Sequence, residues 1–423
     1  MNKILIVTYY WPPGSGAGVQ RWLKFAKYLP AEGWEPVILT VESEYAAYPA
    51  IDNLLLGEVS PELKVYRTRA TDWFRLYKKD KAKIPSAGFA TNDNNSFAGR
   101  IIRFIRGNFF IPDPRRGWNK YAVREASRLI ESGEIKHIIT TSPPHSTQLI
   151  GLELKKKYPW LKWIADLRDP WTDIYYYESF YHTPFARRID ENYEKSVLRT
   201  ADKIITIGKS LKTSFCARVP GIEEKIEVIT NGYDEDDFNN ISPIVPDIFT
   251  ISYIGTLSDA YPVSCFMDAV ADLTMKGSVV NLRFVGSVSS SQRNIINSKA
   301  GRLKIEFIPY VNHLDAIKYM IGSSVLLLII PDHHSNKSII TGKLFEYLAS
   351  GQPILCIGPA DGDAAEIIET SCNGKCAGYY DTEEISHIID HYYKERNPAG
   401  ENVLLEFSRY RLTGKLASQL SNL

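Results

Sequence analysis

A glycine-rich segment is the first place in the sequence where a ligand could be bound. It follows the apolar run Ile4–Thr8 and precedes a helical pattern, and its glycines are Gly14, Gly16 and Gly18. Glycines let the backbone approach a ligand closely, and the start of the next helix favours an anion. Val19 stands where the dinucleotide fingerprint G-x-G-x-x-G needs its third glycine. The segment therefore predicts contact with a phosphate or a sugar. A structural turn is one alternative, and a nicotinamide site with Glu42 on the ribose is another.

A charged turn, Asp166-Leu-Arg-Asp169, directly follows the apolar run Lys162–Ala165. Charged groups at the end of a strand can orient substrate hydroxyls or stabilise positive charge that develops at a sugar carbon. Asp169 and Asp166 are therefore candidate catalytic carboxylates. Arg168 is a candidate for binding the substrate that donates the sugar. The alternative is a structural ion pair between Arg168 and one of the two aspartates.

His145 is a third candidate, in the turn Ser142-Pro-Pro-His-Ser-Thr147 that follows another apolar run. An imidazole at such a position can hydrogen-bond to a phosphate or to an acceptor hydroxyl. We count His145 among the catalytic candidates, with an ordinary loop histidine as the alternative.

A helical segment in the second half of the chain carries a paired lysine and glutamate. Thr341 can cap this helix and Gly351 can end it. Lys343 and Glu346 are three residues apart and share a helix face. At a ligand site, the ammonium would bind a phosphate and the carboxylate would bind ribose hydroxyls. A solvated ion pair satisfies the same spacing.

The elements that must position these residues form two series of strands alternating with helices, which is typical of parallel α/β domains. In the first series, the helix Val19–Leu29 has one apolar stripe, and Arg21 and Lys24 fall outside it. The predicted strands of this series are Ile4–Thr8, Pro36–Val41, His137–Thr141, Lys162–Ala165 and Lys203–Ile207. The predicted strands of the second series are Thr250–Ile254, Asn281–Val285, Lys304–Phe307, Val325–Ile330 and Ile354–Ile357.

A segment rich in Asn, Asp and Pro, Asn231–Asp247, separates the two series and predicts a linker. We expect doubly wound domains at residues 1–240 and 247–400, followed by a helix at 403–423 that returns to the first domain. Ligands of open parallel sheets bind beyond the carboxyl ends of the strands. We therefore expect two Rossmann-like domains facing a central cleft that holds the active site.

The composition excludes several classes of protein. The chain has 423 residues, of which 44% are hydrophobic and 23% charged, so it is neither disordered nor a small disulfide scaffold. Its formal net charge of +1 gives no global attraction to nucleic acid. Five dispersed cysteines, the short apolar start and the lack of a long apolar run predict a cytoplasmic protein.

One basic segment is not explained by the sheet pattern. Residues 77–118 hold nine lysines and arginines against three aspartates, interleaved with aromatic and aliphatic residues. This mixture is typical of a segment at an anionic membrane surface. The residues expected to contact the membrane or the acceptor are Arg100, Arg103, Arg106, Phe109, Phe110 and Trp118. A solvated basic face over a partly buried helix is the alternative.

Six motifs in this order resemble those of a known family. They are YYWPPGSGAGVQRWLKFAKYLP, WIADLRDPW, ADKIITIGKSL, VITNGYD, YIGTL and GKLFEYLASGQPIL. The chain resembles the GT-B glycosyltransferases, and within them glycosyltransferase family 4 of bacterial surface polysaccharide synthesis, such as lipopolysaccharide or capsule.

The resemblance implies a retaining hexosyltransferase that moves a sugar from a nucleoside-diphosphate sugar to a lipid-linked or oligosaccharide acceptor. It implies neither a cofactor nor a metal at the active site, and no nucleic-acid partner. The rival functions are a nucleotide-sugar 2-epimerase of the same architecture, a non-catalytic glycan-binding protein and a two-carboxylate hydrolase.

The resemblance also assigns roles to individual positions. Gly16 and Gly18 match the glycine loop that faces the donor, and Glu346 matches the second glutamate of the E-x7-E motif, which holds the ribose. Ser338 stands at the position of the first glutamate, and the usual Arg and Lys after the first strand of the second domain are absent. Lys343, with Lys337 as a further candidate, is the expected replacement on charge grounds, and Thr341 belongs to the same donor-binding set.

Overall fold

The computed structural model describes residues 1–48, 51–71, 97–395 and 405–423. The chain forms two compact units, each of which is described by itself below. Unit 1 comprises residues 1–230 and 409–423, and unit 2 comprises residues 231–408. None of the helices in the described ranges is both long enough and apolar enough to span a membrane.

Unit 1 is built on a parallel sheet of seven strands in the described residues. The strand order is β3-β2-β1-β4-β5-β6-β7, so the order reverses between β1 and β4. Loops at such a reversal diverge and leave room for a ligand beyond the carboxyl ends of the strands. The strands are β1 (Asn2–Val7), β2 (Trp34–Val41), β3 (Lys64–Thr68), β4 (Ile135–Ser142), β5 (Lys162–Leu167), β6 (Lys203–Thr206) and β7 (Ile226–Val228).

Helices connect these strands and bury the central ones on both faces, which is why the central strands are almost uninterrupted apolar runs. In β1, Ile4–Val7 is completely buried. The helices are α1 (Ala17–Tyr28), α2 (Phe97–Phe109), α3 (Asn119–Glu131), α4 (Ser146–Lys157), α5 (Pro184–Thr200) and α6 (Lys209–Arg218).

Unit 2 repeats this plan with a parallel sheet of six strands in the described residues, in the order β10-β9-β8-β11-β12-β13. Its order reverses between β8 and β11. The strands are β8 (Phe249–Ile254), β9 (Val280–Val285), β10 (Lys304–Ile308), β11 (Val325–Ile329), β12 (Ile354–Ile357) and β13 (Gly374–Ala377). The helices are α7 (Ser264–Met275), α8 (Ser290–Ser298), α9 (His313–Ile321), α10 (Gly342–Ala349), α11 (Asp363–Thr370) and α12 (Thr382–Lys394). The predicted α/β fold class is confirmed.

The last helix, α13 (Arg409–Ser421), follows unit 2 in the chain but packs in unit 1. Leu412, Leu416 and Leu420 are at most 1% exposed and join the same core cluster as Trp22 and Phe25 of α1. Two segments far apart in the sequence therefore complete one core.

Candidate functional sites in the two units

The glycine segment after β1 leaves an open helix start. Gly16 precedes α1 with φ of 105°, a conformation that other residues adopt only with strain, and no side chain caps the helix. A Cβ built on Gly16 meets no atom within 4 Å, whereas one built on Gly18 lies 3.3 Å from Nη2 of Arg168. The loop after β1 and the turn after β5 are therefore in contact, and the start of α1 is accessible to an anion.

Asp166 is enclosed by unit 1. Its carboxylate has no exposed surface and accepts hydrogen bonds from Trp22 Nε1 at 2.9 Å, Thr141 Oγ1 at 2.7 Å and Arg21 Nη2 at 3.1 Å. Arg21 is buried as well and donates to the carbonyls of Ile229 and Thr230. A substrate cannot touch Asp166 in this arrangement, so the carboxylate predicted to be catalytic anchors α1 to β4 and β5.

Asp169 is more accessible to a substrate than Asp166. It is half-buried, and its carboxylate makes no hydrogen bond or ion pair with the residues that the structure describes. Burial raises the pKa of Asp169, while the nearby Arg168 guanidinium lowers it. A carboxylate partly removed from water without a partner is unfavourable in the free protein, so it is available to a ligand.

Part of the Arg168 guanidinium is held by backbone carbonyls. Its Nε donates to the carbonyl of Ser142 at 2.9 Å and lies 3.7 Å from Asp166 Oδ2. Nη2 lies 3.4 Å from the carbonyl of Pro143. Burial lowers the pKa of Arg168, and Asp166 and Asp169 raise it. The third nitrogen, Nη1, makes no hydrogen bond within the described part of the chain and could donate to a ligand.

His145 follows β4 and stacks on Trp171, with ring centroids 4.9 Å apart and an interplanar angle of 15°. Both ring nitrogens are buried, and neither meets the geometry of a hydrogen bond to a described residue. Burial lowers the pKa of His145 to about 4, and Arg168 acts in the same direction, against Asp113 and the Pro170 carbonyl. The imidazole is therefore neutral at pH 7, with one nitrogen able to donate and the other to accept.

Three guanidiniums of unit 1 interact electrostatically with Tyr10, and we call Arg106, Arg115 and Arg168 the arginine cluster. Arg115 lies with its guanidinium carbon 5.8 Å from the Tyr10 ring centre, and Tyr10 raises the pKa of all three arginines. Burial lowers the pKa of Arg106 to about 10, and the like charge of Arg115 adds to this effect. The sequence analysis had placed Arg106 at a membrane, but its side chain packs over the ring of Phe180 at 4.4 Å.

The other residues predicted to contact a membrane divide into two groups. Arg100 and Phe109 are exposed, and Phe109 retains 74% of its accessible surface. Arg103 lies over the Tyr181 ring at 5.7 Å, and Phe110 is half-buried. Trp118 is only 1% exposed and donates to Thr68 Oγ1 at 2.8 Å, so it cannot take part in a membrane contact. The basic residues at 78, 79, 81 and 83 lie outside the described residues.

In unit 2, Lys343 lies beside the end of β8. Its Nζ donates to Tyr253 Oη at 2.9 Å and lies 4.1 Å from the centre of that ring. A Cβ built on Gly255 would be 3.1 Å from the same Nζ. Burial lowers the pKa of Lys343 to about 7, opposed by Glu346. Within the described part of the chain, no carboxylate lies within the 4.0 Å of an ion pair, so the ammonium is desolvated without a counter-ion.

The start of α10 adds further polar groups to this place. Thr341 precedes the helix without capping it, and its Oγ1 is buried and makes no hydrogen bond to a described residue. Ser338 is half-buried with Oγ 3.3 Å from the Ser335 carbonyl. Lys337 is exposed and forms an ion pair with Asp361, so of the two candidate lysines only Lys343 is held in a desolvated position.

Glu346 lies one turn further along α10. Its Oε1 is 3.9 Å from Nε2 of His313 on α9, and the same nitrogen is 3.4 Å from Asp237 Oδ2. Glu346 and Lys343 do not form an ion pair with each other, so an ion pair does not explain why these two residues are three positions apart.

Four residues of these sites escaped the sequence analysis, namely Tyr10, Arg115, Tyr176 and Tyr253. Tyr10 and Tyr253 stand at or just after the carboxyl end of the strands that border the two reversals, which is a signal that could have found them. Arg115 and Tyr176 lie in loops whose path no local pattern encodes. In the described ranges, no group of three or more His, Cys, Asp or Glu side chains is placed to hold a metal ion.

Comparison with known proteins identifies the fold. No protein-family model matches the sequence, and no curated protein matches it. Among solved structures, HepE of Anabaena, in complex with UDP and glucose, has a TM-score of 0.62 at 15% identity and covers 100% of both chains. The lipopolysaccharide outer core galactosyltransferase WaaB has a TM-score of 0.58 at 13% identity, again over 100% of both chains.

The chain has the GT-B fold. A candidate UDP-N-acetylglucosamine 2-epimerase of Listeria monocytogenes is also similar, with a TM-score of 0.55 at 10% identity over 99% of this chain and 96% of that one. At these identities the similarity establishes architecture, and the function must be argued from the side chains.

Proposed function

We propose that the protein is a retaining glycosyltransferase that moves a sugar from a nucleoside-diphosphate sugar to a lipid-linked or oligosaccharide acceptor in cell-surface polysaccharide synthesis. The observation that carries this proposal is the desolvated ammonium of Lys343 beside the end of β8. An ammonium without a counter-ion is costly to bury, and a diphosphate would supply the missing charge. HepE, which shares the fold, is in complex with UDP and glucose.

The start of α10 supports the same ligand. The backbone N–H groups at the start of this helix lack intrahelical partners and therefore favour an anion. The Thr341 hydroxyl makes no hydrogen bond to a described residue and can donate one to the same ligand. Negative charge grows on the diphosphate as the glycosidic bond breaks, so donors fixed at this place stabilise the transition state more than the ground state. In this proposal the cationic side chain replaces a divalent metal, and transfer proceeds undiminished in the presence of EDTA.

Unit 1 supplies groups for the sugar and the acceptor. Asp169 carries a carboxylate without a partner among the described residues, and this carboxylate would stabilise the oxocarbenium-like sugar carbon. The neutral imidazole of His145 would hydrogen-bond to a sugar or acceptor hydroxyl. The departing diphosphate itself would accept the proton of the acceptor hydroxyl, which gives transfer with retention.

A membrane-bound acceptor would be consistent with the outer face of α2. Ile101, Ile102 and Phe104 are each more than 40% exposed there, beside the exposed Arg100. Apolar side chains next to a cation are typical of a helix that lies at an anionic lipid surface. We therefore propose peripheral attachment to the inner face of the plasma membrane through α2.

The test begins with thermal-shift assays of the full chain with UDP, GDP, ADP, CDP and dTDP, followed by assays of diphosphate release from sugars of the nucleotide that binds. Lys343→Met should abolish the shift while leaving the melting temperature without ligand unchanged or higher. Lys337→Met, which removes an exposed lysine of the same unit, is the matched control and should retain the shift. If the two variants behave alike, Lys343 does not bind the donor.

The epimerase alternative is favoured by a similar fold in a candidate epimerase. A product analysis separates the two functions, because an epimerase changes the sugar on the nucleotide without any acceptor. Formation of an epimer in the absence of acceptor would overturn the transferase proposal.

A further inference from the structure

Asp190 on α5 is a buried carboxylate to which the proposed function gives no role. It is 2% exposed and has no cation within the 4.0 Å of an ion pair among the described residues. Burial raises the pKa of Asp190 to about 6, and its hydrogen bonds with Trp171 and Tyr177 oppose this effect. Burying a carboxylate without a counter-ion is unfavourable, so stability alone does not explain why an aspartate stands here.

Two aromatic side chains that follow β5 hold this carboxylate. Trp171 Nε1 donates to Oδ1 of Asp190 at 2.7 Å, and Tyr177 Oη donates to Oδ2 at 3.0 Å. The Trp171 side chain is itself only 2% exposed. Hydrogen bonds to a charged acceptor are strong and directional, so the bond to Oδ1 fixes the plane of the indole.

The indole of Trp171 in turn carries the imidazole of His145 on its face. The ring centroids lie 4.9 Å apart, and the two planes differ by 15°. A side chain that packs against a fixed ring keeps few of its rotamers. The orientation of His145 therefore depends on Asp190 through Trp171.

Hydrogen bonds to described residues do not orient His145. Both ring nitrogens are buried, and neither meets the geometry of a hydrogen bond to a residue in the described ranges. In many functional histidines a hydrogen bond at one nitrogen sets the direction of the other. In this protein the stack on Trp171 sets that direction, and both nitrogens are left for a ligand. His145 follows β4, which borders the reversal of strand order where parallel sheets bind ligands.

We infer that Asp190 and Trp171 are positioning residues that set the direction of the His145 imidazole towards the substrate. The carboxylate fixes the indole, and the indole fixes the imidazole, so that one nitrogen donates to a substrate oxygen while the other accepts from a hydroxyl. The inference rests on the proposed function for the reaction that His145 serves, but the arrangement of the three side chains does not.

The same loop and the same helix offer a matched control. Thr172 Oγ1 donates to Glu194 on α5 at 2.6 Å, and both residues are buried. This bond joins the loop to α5 as the Trp171 bond does, but the stack on His145 does not include it. Thr172→Val should therefore lower the melting temperature about as much as a substitution of Asp190 does, and it should leave His145 unchanged.

The first test observes His145 by NMR of the full chain, labelled with ¹³C at the histidine Cε1 atoms. The chain has eight histidines, and His145→Gln identifies the signal. Burial lowers the pKa of His145 to about 4, and Arg168 adds to this effect, against Asp113 and the Pro170 carbonyl. The wild-type signal should therefore show no titration above pH 5.

Asp190→Ala removes the anchor of the indole, so the His145 ring should gain contact with water and its titration midpoint should rise by about one pH unit or more. Asp190→Asn keeps an acceptor for Trp171 Nε1 and should stay close to wild type, as should Thr172→Val. If Asp190→Ala does not fold, Trp171→Phe replaces it, because a phenyl ring has no N–H for the carboxylate. A midpoint that stays at the wild-type value would overturn the inference.

The second test is a double-mutant cycle on the rate of sugar transfer. Asp190→Ala should lower kcat about tenfold, and the same substitution in His145→Ala should lower it no further, because a positioning residue acts only through the group that it positions. Asp190→Asn should retain most of the rate, and Thr172→Val should retain all of it. Equal losses in the two backgrounds would show a structural role and overturn the inference, and so would an unchanged kcat in His145→Ala.

The two tests separate this inference from the proposed function. If transfer is observed and the cycle is additive, the proposed function stands and the inference fails. If the protein turns over no nucleotide sugar, the proposed function fails, and the titration of His145 decides whether Asp190 fixes the ring.

Discussion

At the scale of single residues, the proposed role of Lys343 would couple donor binding to pH. Burial lowers its pKa to about 7, so the amine is largely neutral in the empty protein above that pH. A diphosphate favours the charged form, and binding above pH 7 must therefore take up a proton. Glu346 also favours the charged form, and Tyr253 faces the amine as a neutral phenol.

We expect donor affinity to fall as the pH rises from 7 to 9, by up to about tenfold per unit. Lys343→Arg should flatten this dependence, because a guanidinium stays charged throughout the range. Calorimetric titration of the nucleoside diphosphate at three pH values, in two buffers of different ionisation enthalpy, measures both the affinity and the proton uptake. An equal slope in wild type and Lys343→Arg would contradict the assignment.

Asp169→Asn tests the carboxylate proposed to face the sugar carbon. The substitution removes the charge and keeps the shape, so we expect kcat to fall about 100-fold with little change in donor affinity. The melting temperature should be unchanged or higher, because the substitution removes a half-buried charge that has no partner in the described ranges. Asp173→Asn, an exposed aspartate of the same loop, is the control and should retain kcat.

The residue scale also shows what sequence reasoning can and cannot resolve. The spacing in DLRD identifies a charged turn, but only the tertiary structure separates the enclosed Asp166 from the accessible Asp169. Arg21 and Lys24 lie outside the apolar stripe of α1, yet both are buried in ion pairs. The pattern of a helix shows only which residues share a face. It cannot show that Asp166, which lies on a strand 145 residues after Arg21, is buried against that helix.

At the scale of elements, the loop after β5 is fixed to α5 by two buried carboxylates. Asp190 accepts from Trp171 Nε1 at 2.7 Å and from Tyr177 Oη at 3.0 Å, and Glu194 accepts from Thr172 Oγ1 at 2.6 Å. The same loop carries the stacking partner of His145. Helix α5 thus sets the position of a candidate catalytic group that it does not carry.

Glu194→Gln should make the protein more stable than wild type at pH 8. Burial raises the pKa of Glu194 to about 7, so the folded state holds a proton that the unfolded state releases near pH 4.5. The contribution of Glu194 to stability is therefore complete below pH 4.5 and is lost as the pH rises through 7. Urea unfolding at pH 5 and pH 8 measures how much the free energy of unfolding changes between the two pH values. Glu194→Gln should reduce this change, whereas the exposed Glu178→Gln should leave it as in wild type.

Helix α2 gives a prediction about the membrane. Ile101→Ser with Phe104→Ser should reduce co-sedimentation with vesicles at low and at high salt, because apolar insertion is not screened. Arg100→Gln should reduce binding to anionic vesicles about fivefold at low salt only. Arg124→Gln is the control, and equal partitioning of all variants would exclude α2 as the membrane contact.

The elements themselves were largely predictable, since every strand expected from an apolar run is present. The three strands that the sequence analysis did not predict are β3, β7 and β13, and each of them is an edge strand of its sheet. They are short and only partly buried, so their sequences lack the continuous apolar run of a central strand. The loops at the carboxyl ends of the strands could be identified once the strands were predicted. The electrostatic effect of Arg115 on Arg106 could not be predicted in this way.

At the scale of the whole molecule, unit 1 depends on a helix that is distant in sequence. Leu416→Ala should cost about 2–5 kcal/mol of unfolding free energy, because its side chain is completely buried in the core that α13 shares with α1. Ser418→Ala on the exposed face of α13 should cost little. Chemical denaturation followed by tryptophan fluorescence reports on this core, which contains Trp11, Trp22 and Trp34.

The place of α13 in the chain also orders events at the ribosome. Unit 2 is continuous, so all of its described strands are synthesised before α13. Until α13 has been made, the apolar face of α1 in unit 1 stays uncovered. Nascent chains that expose such a face are ligands for chaperones and prone to aggregate. Slowed translation across residues 231–408 should therefore lengthen the time for which a chaperone binds unit 1. A circular permutation that places α13 before β1 should shorten this time.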